Sequence, residues 1–237
     1  STEEVLQIVG PTGIGKTLLG IPAAVQGIEG SRILVAIHTR SGVHNAYSFI
    51  TQVSNKSSKP IRVGYAAENE RNFGPDTQLI YATSGYVSNY MFSKFENVNG
   101  QSVFKGIPEF SHIVIDESHS GITEISFIIF LWSYAHRGQT VGSSKSLPRL
   151  VLVSATPSDH GIRDLTISRY VIKVTSPFTV KVIYRPLQED VKIKGNETMK
   201  LITFSTAIVQ EVISGDHQGH ILIFVPGQSE AHAQAKS

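Results

Sequence analysis

Apolar residues in this chain fall into short β-branched runs separated by longer stretches with helical spacing. The runs at 5–9, 33–37, 62–65, 79–82, 113–115, 150–153, 171–174, 180–184 and 221–225 predict strands. Several are continuously apolar rather than alternating, the pattern of strands covered on both faces of a parallel sheet. Helical periodicity covers 16–27, 43–53, 86–95, 122–136 and 198–214. Strand and helix alternate along the chain, which predicts an α/β layered domain. Loop signals fall at 54–59, 138–148 and 187–197, and the polar composition of the last makes it the candidate domain linker.

Composition narrows the class. Apolar residues are 41% and charged residues 17%, the balance of a globular chain rather than a disordered one. The length, 237 residues, suits one large domain with part of another. The longest apolar stretch, 122–135, is shorter than a membrane span and is interrupted by Glu124, Ser126 and Ser133. The first nine residues carry acids, so a signal or transit peptide is not expected. With no cysteine, disulfide scaffolds, cysteine nucleophiles and thiolate metal sites are excluded. Histidines lack a ligand spacing supported by carboxylates, so no metal cluster is expected. Net charge is only +2, so any grip on nucleic acid must come from local donors.

The candidate chemistry begins at Gly10-Pro11-Thr12-Gly13-Ile14-Gly15-Lys16-Thr17. This is G-x-x-x-x-G-K-T between a predicted strand and a predicted helix, the context a phosphate-binding loop requires. Glycines let backbone N–H groups turn inward around a phosphate chain, and the helix that follows points its positive end there. Lys16 is placed for the β- and γ-phosphates of ATP or another NTP, and the Thr17 hydroxyl for Mg²⁺. Such a loop alone does not separate kinases, GTPases and motors.

A second element does more. The strand 113–115 runs into Asp116-Glu117-Ser118-His119. Asp116 can hold the Mg²⁺ shell, and Glu117 can orient and deprotonate an attacking water. A second carboxylate beside the metal ligand favours hydrolysis over transfer to a metabolite. Taken alone, Asp-Glu after a strand is equally an ordinary solvated loop start.

The chain resembles the superfamily 2 DExH-box RNA helicases of the DEAH and viral type. Gly10–Thr17 and Asp116–His119 look like motifs I and II, with His119 marking the DExH branch. Ser154-Ala155-Thr156 is similar to motif III, which couples the nucleotide site to a second domain. Thr39-Arg40 stands at motif Ia, the stretch 77–85 resembles the segment ending in motif Ib, and 221–228 resembles motif IV. The likeness covers almost the whole chain in the family's order. It implies a RecA-like P-loop NTPase domain over 1–178, with a mainly parallel sheet covered by helices on both faces. Residues 179–237 would begin an incomplete second RecA-like domain.

The resemblance also implies roles. Lys16, Asp116, Glu117 and His119 would be catalytic, with ATP or another NTP and Mg²⁺ as cofactors. Thr39, Arg40, Thr83 and Ser84 would lie along an RNA track and touch its backbone. Without the family, hydroxyls at such strand ends are ordinary helix or turn caps. RNA is preferred over DNA only through the family. Ile37-His38-Thr39-Arg40-Ser41 departs from the Pro-Arg-Arg run of cellular members, and Ser120 replaces their usual Glu. Both lean towards viral proteins, with the host cytoplasm as location and a larger protein or polyprotein as the parent. No motif V or VI follows within the sequence, so the chain is expected to bind nucleotide, hydrolyse it poorly and not unwind duplexes by itself.

Two rivals are a nucleic-acid-stimulated NTPase or scaffold without unwinding, and a small-molecule kinase. Trp132, Phe127, Phe130 and Tyr134 are expected in the core, as are Tyr86, Tyr90 and Phe95, whereas Lys56 and Lys59 are expected in solvent. Little precedes the phosphate loop, so no adenine-reading segment is visible. The expected outcome is similar hydrolysis of ATP, GTP, CTP and UTP in a nucleotide-release assay; strict ATP dependence would contradict it.

Overall fold

The computed structural model describes residues 5–138, 147–156, 169–176, 179, 184, 197–215, 220–224, 231, 232 and 235. The chain divides into two units, Ser1–Thr179 and Val180–Ser237. In the first, the strands are β1 (Val5–Val9), β2 (Ile33–Ile37), β3 (Val63–Ala67), β4 (Glu70–Asn72), β5 (Leu79–Thr83), β6 (Phe95–Val98), β7 (Gln101–Phe104), β8 (His112–Ile115), β9 (Arg149–Ser154) and β10 (Arg169–Lys173). The helices are α1 (Ile21–Gly27), α2 (Arg40–Asn55), α3 (Ser84–Phe92) and α4 (Thr123–Arg137). Among the described residues, eight strands form one sheet in the order β10-β1-β9-β8-β2-β5-β3-β4. Every pairing in it is parallel except β4 on β3.

The continuous apolar runs have a simple cause. In β2, Leu34 and Ala36 join one core, and Ile33 and Val35 join another. The first core packs Val87 and Met91 of α3 and Ile125, Ile128, Ile129 and Trp132 of α4 against the sheet. The second packs Ile21 and Val25 of α1 and Val43, Ala46 and Ile50 of α2 on the opposite face. Successive side chains of a strand point to opposite faces, so a sheet buried on both sides has no polar positions to show. This is the mainly parallel, doubly covered α/β architecture that the sequence predicts.

Several expectations are corrected. β4 has no apolar residue, and β6 and β7 have only two each in four residues, so all three escaped the hydropathy pattern. The hairpin turns at Asn99-Gly100, both with positive φ (52° and 82°), a two-residue connection suited to the strand twist. The helix expected to reach residue 95 therefore stops at Phe92. In α4, Trp132 is buried as expected, but Phe127, Phe130 and Tyr134 are 37%, 59% and 45% exposed. The helix is apolar on nearly all sides, so its pattern does not say which aromatics face the core. Those three form a ladder of ring contacts along its outer face instead.

In the second unit, the predicted helix appears as α5 (Glu197–Ser214). Residues 221–224, expected to start a strand, have no regular structure. A strand exists only with a hydrogen-bonded neighbour, and among the described residues of this unit there is none. Most of the strand expected at 180–184, the loop at 187–197 and the end of the motif IV stretch lie outside the described residues. Among the described residues no helix is long and apolar enough to cross a membrane.

Trp132 fills the centre of the α4 contact, and its Nε1 donates to the Pro148 carbonyl at 2.7 Å. Trp132→Ala is expected to cost roughly 3–5 kcal/mol, and Trp132→Phe clearly less. Urea unfolding followed by circular dichroism checks this, since the chain has one tryptophan and loses its fluorescence signal with it.

Candidate functional site

Parallel pairing brings the carboxyl ends of β1, β9, β8, β2 and β5 to one edge of the sheet, side by side. The phosphate loop leaves β1 at this edge. Gly10 N donates to Ser154 O at 3.1 Å, which ties the start of the loop to the end of β9. A Cβ on Gly10 would meet the Val174 carbonyl oxygen at 2.6 Å, so only glycine fits there. Gly13 and Gly15 have φ of +83° and +80°, the left-handed region that other residues avoid. From Gly15 the chain enters one widened turn over Lys16–Gly20, closed by Gly20 N donating to Gly15 O at 3.0 Å, and α1 follows. Widened turns of this kind concentrate at functional sites.

Lys16 curls over its own loop. Its Nζ donates to Gly10 O at 2.7 Å and to Pro11 O at 2.8 Å. Thr17 Oγ1 donates to Asp116 Oδ1 at 2.7 Å, which joins the sequence's two separate motifs. The same Oδ1 accepts from Glu117 N at 3.1 Å. Burial raises the Asp116 carboxyl above its ordinary value, the Thr17 hydrogen bond pulls it back, and the charge of Glu117 raises it again. Tyr81, buried in β5 beneath the loop, donates its hydroxyl to Thr17 O at 3.4 Å. Burial and the negative Asp116 push that hydroxyl upward, so it stays a neutral donor.

Glu117 has φ +51°, an unusual backbone state for a residue with a Cβ. After it the chain is fastened to β9: Ser118 N and Oγ both donate to Val153 O, at 3.0 and 3.2 Å. His119 Nδ1 lies 3.0 Å from Ser154 Oγ and 3.4 Å from Glu117 Oε2. Ser154 Oγ donates its single hydrogen to Thr156 O at 2.5 Å and accepts from Thr156 N at 3.2 Å. His119 must then be the donor to Ser154, with its proton on Nδ1. Thr17, Asp116, Glu117, His119, Ser154 and Thr156 thus form one connected set, with Ala155 as the backbone link.

The four residues expected on an RNA track sit at the other half of the edge, where Ile37 of β2 is in register with Thr83 of β5. Thr39 Oγ1 accepts from Gly42 N at 3.1 Å and caps α2. Thr83 Oγ1 accepts from Tyr86 N at 3.3 Å and caps α3. Both hydroxyls therefore act locally as caps. Ser84 is only 2% exposed, so its hydroxyl does not reach the surface. Arg40 is exposed but occupied: it pairs with Glu68 at 3.4 Å and, more closely, with Glu70. Neither glutamate carried a signal in the sequence, because the β3–β4 turn that delivers them is polar. Tyr81 was hidden inside a core strand, and Ser118 between Glu117 and His119 of the motif.

Among the described residues, no group of three or more His, Cys, Asp or Glu could hold a metal ion. A site for Mg²⁺ needs no such cage, because that ion is typically held by one or two protein oxygens with waters and phosphates. The adjacent oxygens of Thr17 and Asp116 fit that donor chemistry.

Residues 1–165 match the family model described as DEAD/DEAH box helicase. Two crystal structures are similar in fold. The DEAH/RHA helicase HrpB of Escherichia coli aligns with TM-score 0.73 and 18% identity, over 98% of this chain and 27% of that one. The DExH-box NTPase HrpB of E. coli aligns with TM-score 0.68 and 18% identity, over 98% of this chain and 26% of that one. The chain therefore spans about a quarter of the length of these relatives. No curated protein sequence matches it.

Lys16→Ala removes the one ammonium of the loop. It is expected to weaken binding of a fluorescent nucleotide about tenfold or more, with the circular dichroism spectrum unchanged. Gly10→Ala, which forces a Cβ onto Val174, is expected to weaken the same binding and lower the melting temperature. Titration by fluorescence anisotropy, with a thermal melt beside it, checks both.

Proposed function

The chain belongs to the DEAD/DEAH box helicase family, and on that premise we propose that it is the NTP-binding and hydrolysing motor part of a DExH RNA helicase. One observation carries the reading. A path of hydrogen bonds from Thr17 through Asp116 to Glu117 N, and from His119 through Ser154 to Thr156, bridged by the 3.4 Å approach of Glu117 to His119, would join a phosphate loop to a hydrolytic carboxylate and a coupling segment. A kinase of small molecules has no use for the last part of that path.

Bound NTP and Mg²⁺ would supply the phosphoanhydride to be cleaved and the positive charge that stabilises it. Lys16 would exchange its loop carbonyls for β- and γ-phosphate oxygens. Thr17 and Asp116 would hold the ion between them. Glu117 would orient the attacking water and accept its proton. His119, donating to Ser154 and lying near Glu117, would sense the state of that carboxylate and relay it to Ser154–Thr156. Residues 179–237 would begin the second lobe of the motor, and lobe closure over RNA would follow nucleotide binding.

The RNA track would run past the α2 and α3 N-termini, with Arg40 as its charged residue and the capped backbone at Thr39 and Thr83 facing phosphates, while Ser84, buried behind Thr83, would support the turn rather than touch the strand. A cytoplasmic setting is part of the same reading. The departures at motif Ia and Ser120 remain the whole case for a viral source, since both structural relatives are bacterial.

Hydrolysis of NTP with and without single-stranded RNA, by this chain and by one carrying its continuation, tests the proposal. RNA-stimulated turnover is expected in the longer protein. Glu117→Gln is expected to reduce it about 10²-fold or more while nucleotide binding stays within about threefold. Turnover indifferent to both RNA and Glu117 would refute the motor assignment. Stimulated turnover with no duplex displacement would instead identify an NTPase that does not unwind.

A further inference from the structure

At the edge of the sheet opposite the phosphate loop, where β2, β5 and β8 begin, a cavity of about 370 Å³ opens beside α3. Its size is that of a small-molecule site. Four of its nine lining residues are aromatic: Phe73, Tyr86, Tyr90 and Phe110. Tyr86 and Tyr90 stand one helical turn apart on α3, their rings within 6° of parallel and their centroids 6.4 Å apart. Phe110 meets Tyr90 nearly edge-on, at 81° and 5.8 Å.

Two charged side chains line the cavity, and they differ in how they are balanced. Glu109 accepts hydrogen bonds from the Tyr90 hydroxyl and from Lys94 Nζ, the latter at 2.9 Å. Burial alone would raise its carboxyl, but those bonds hold it below its ordinary range, so it is ionised and matched by Lys94. Arg32 has no such match. Its Nε donates to Thr77 O at 2.9 Å and one terminal nitrogen donates to Gly74 O at 2.8 Å. Its guanidinium also sits 5.2 Å from the centre of the Phe110 ring. These partners are dipoles and a π-face; among the described residues no carboxylate forms an ion pair with it. A half-buried full charge compensated only by dipoles attracts an anion more strongly than an exposed one does. With two of its five N–H donors used within the chain, a fork remains for an acid group.

We propose that this cavity binds a small planar aromatic anion, with its ring on Tyr86 and Tyr90 and its acid group on Arg32. An uncharged aromatic would cover the walls and leave the guanidinium unmatched. An inorganic anion would use the arginine and none of the aromatic surface. A cation would meet Arg32 unscreened. Pinning the loop before β5 accounts for the two carbonyl contacts of Arg32, but not for an open aromatic cavity around it.

The test titrates naphthalene-2-carboxylate into the whole chain by calorimetry, with naphthalene-2-methanol as its uncharged counterpart. The acid is expected to bind at one site at least about tenfold more tightly than the alcohol. Arg32→Gln should bring the acid down to the affinity of the alcohol, and Tyr86→Leu should weaken both. Lys16→Ala should leave both unchanged, because the phosphate loop lies at the other edge. In the unsubstituted chain labelled with fluorotyrosine, the ¹⁹F signals of Tyr86 and Tyr90 should move on adding the acid, which requires no variant to fold. Equal binding of acid and alcohol, loss of acid binding in Lys16→Ala, or unmoved Tyr86 and Tyr90 signals would each overturn the proposal.

Discussion

Parallel pairing of β1, β9, β8, β2 and β5 is the constraint on which the rest of this molecule depends. Two parallel neighbours cannot be joined by a tight turn, so each connection must cross a face of the sheet and return to the starting edge. The crossing segments become the helices that bury both faces. The residues just past each strand are left together at one end, without any need for the sheet itself to carry chemistry. Phosphate loop, Asp116-Glu117, Ser154–Thr156, Thr39-Arg40 and Thr83-Ser84 are five such strand ends. The edge supplies proximity, and the residue types supply function.

Within that edge, electrostatics divide the labour. Asp116 is half-buried and pushed towards its neutral form, with Thr17 and Glu117 acting on it in opposite directions. A carboxylate in that position gains from any cation that arrives, which is the property wanted of a metal ligand. Glu117 is held next to it by a backbone state that few residues adopt, and the fastening of Ser118 to Val153 sustains that state. Strain at one residue and two hydrogen bonds at the next belong to one device. The Glu117 carboxylate is aimed by its neighbour.

What could be read from the sequence follows the range of the physics involved. The phosphate loop was legible because its requirements are local: three glycines, a lysine and a hydroxyl between a strand and a helix. The five-strand core was legible because burial on both faces leaves apolar runs, interrupted in β1 only by Gln7. Asn99-Gly100 carried a local hairpin signal that the helical pattern of α3 obscured. The outward turn of Phe127, Phe130 and Tyr134 was not legible, since an all-apolar helix has no preferred face until its neighbours are placed. Nor were the partners of Arg40, which stand 28 and 30 residues away and meet it only because β4 folds back on β3. The cap roles of Thr39 and Thr83 were visible as one alternative, and the hydrogen bonds to Gly42 and Tyr86 establish them.

The pairing of Arg40 with Glu68 and Glu70 has a consequence for ionic strength. A cationic side chain that docks on a phosphate normally sets free about one counterion from the nucleic acid, which is why such binding weakens steeply with salt. Arg40 begins already neutralised. To reach a phosphate it must abandon two carboxylates, and these then gather small cations of their own. Ion release on one side is offset by ion uptake on the other. Added salt also loosens the starting pair, because exposed charges are screened. Were Arg40 to dock on a strand in this way, salt titration would count one contact fewer than the strand receives.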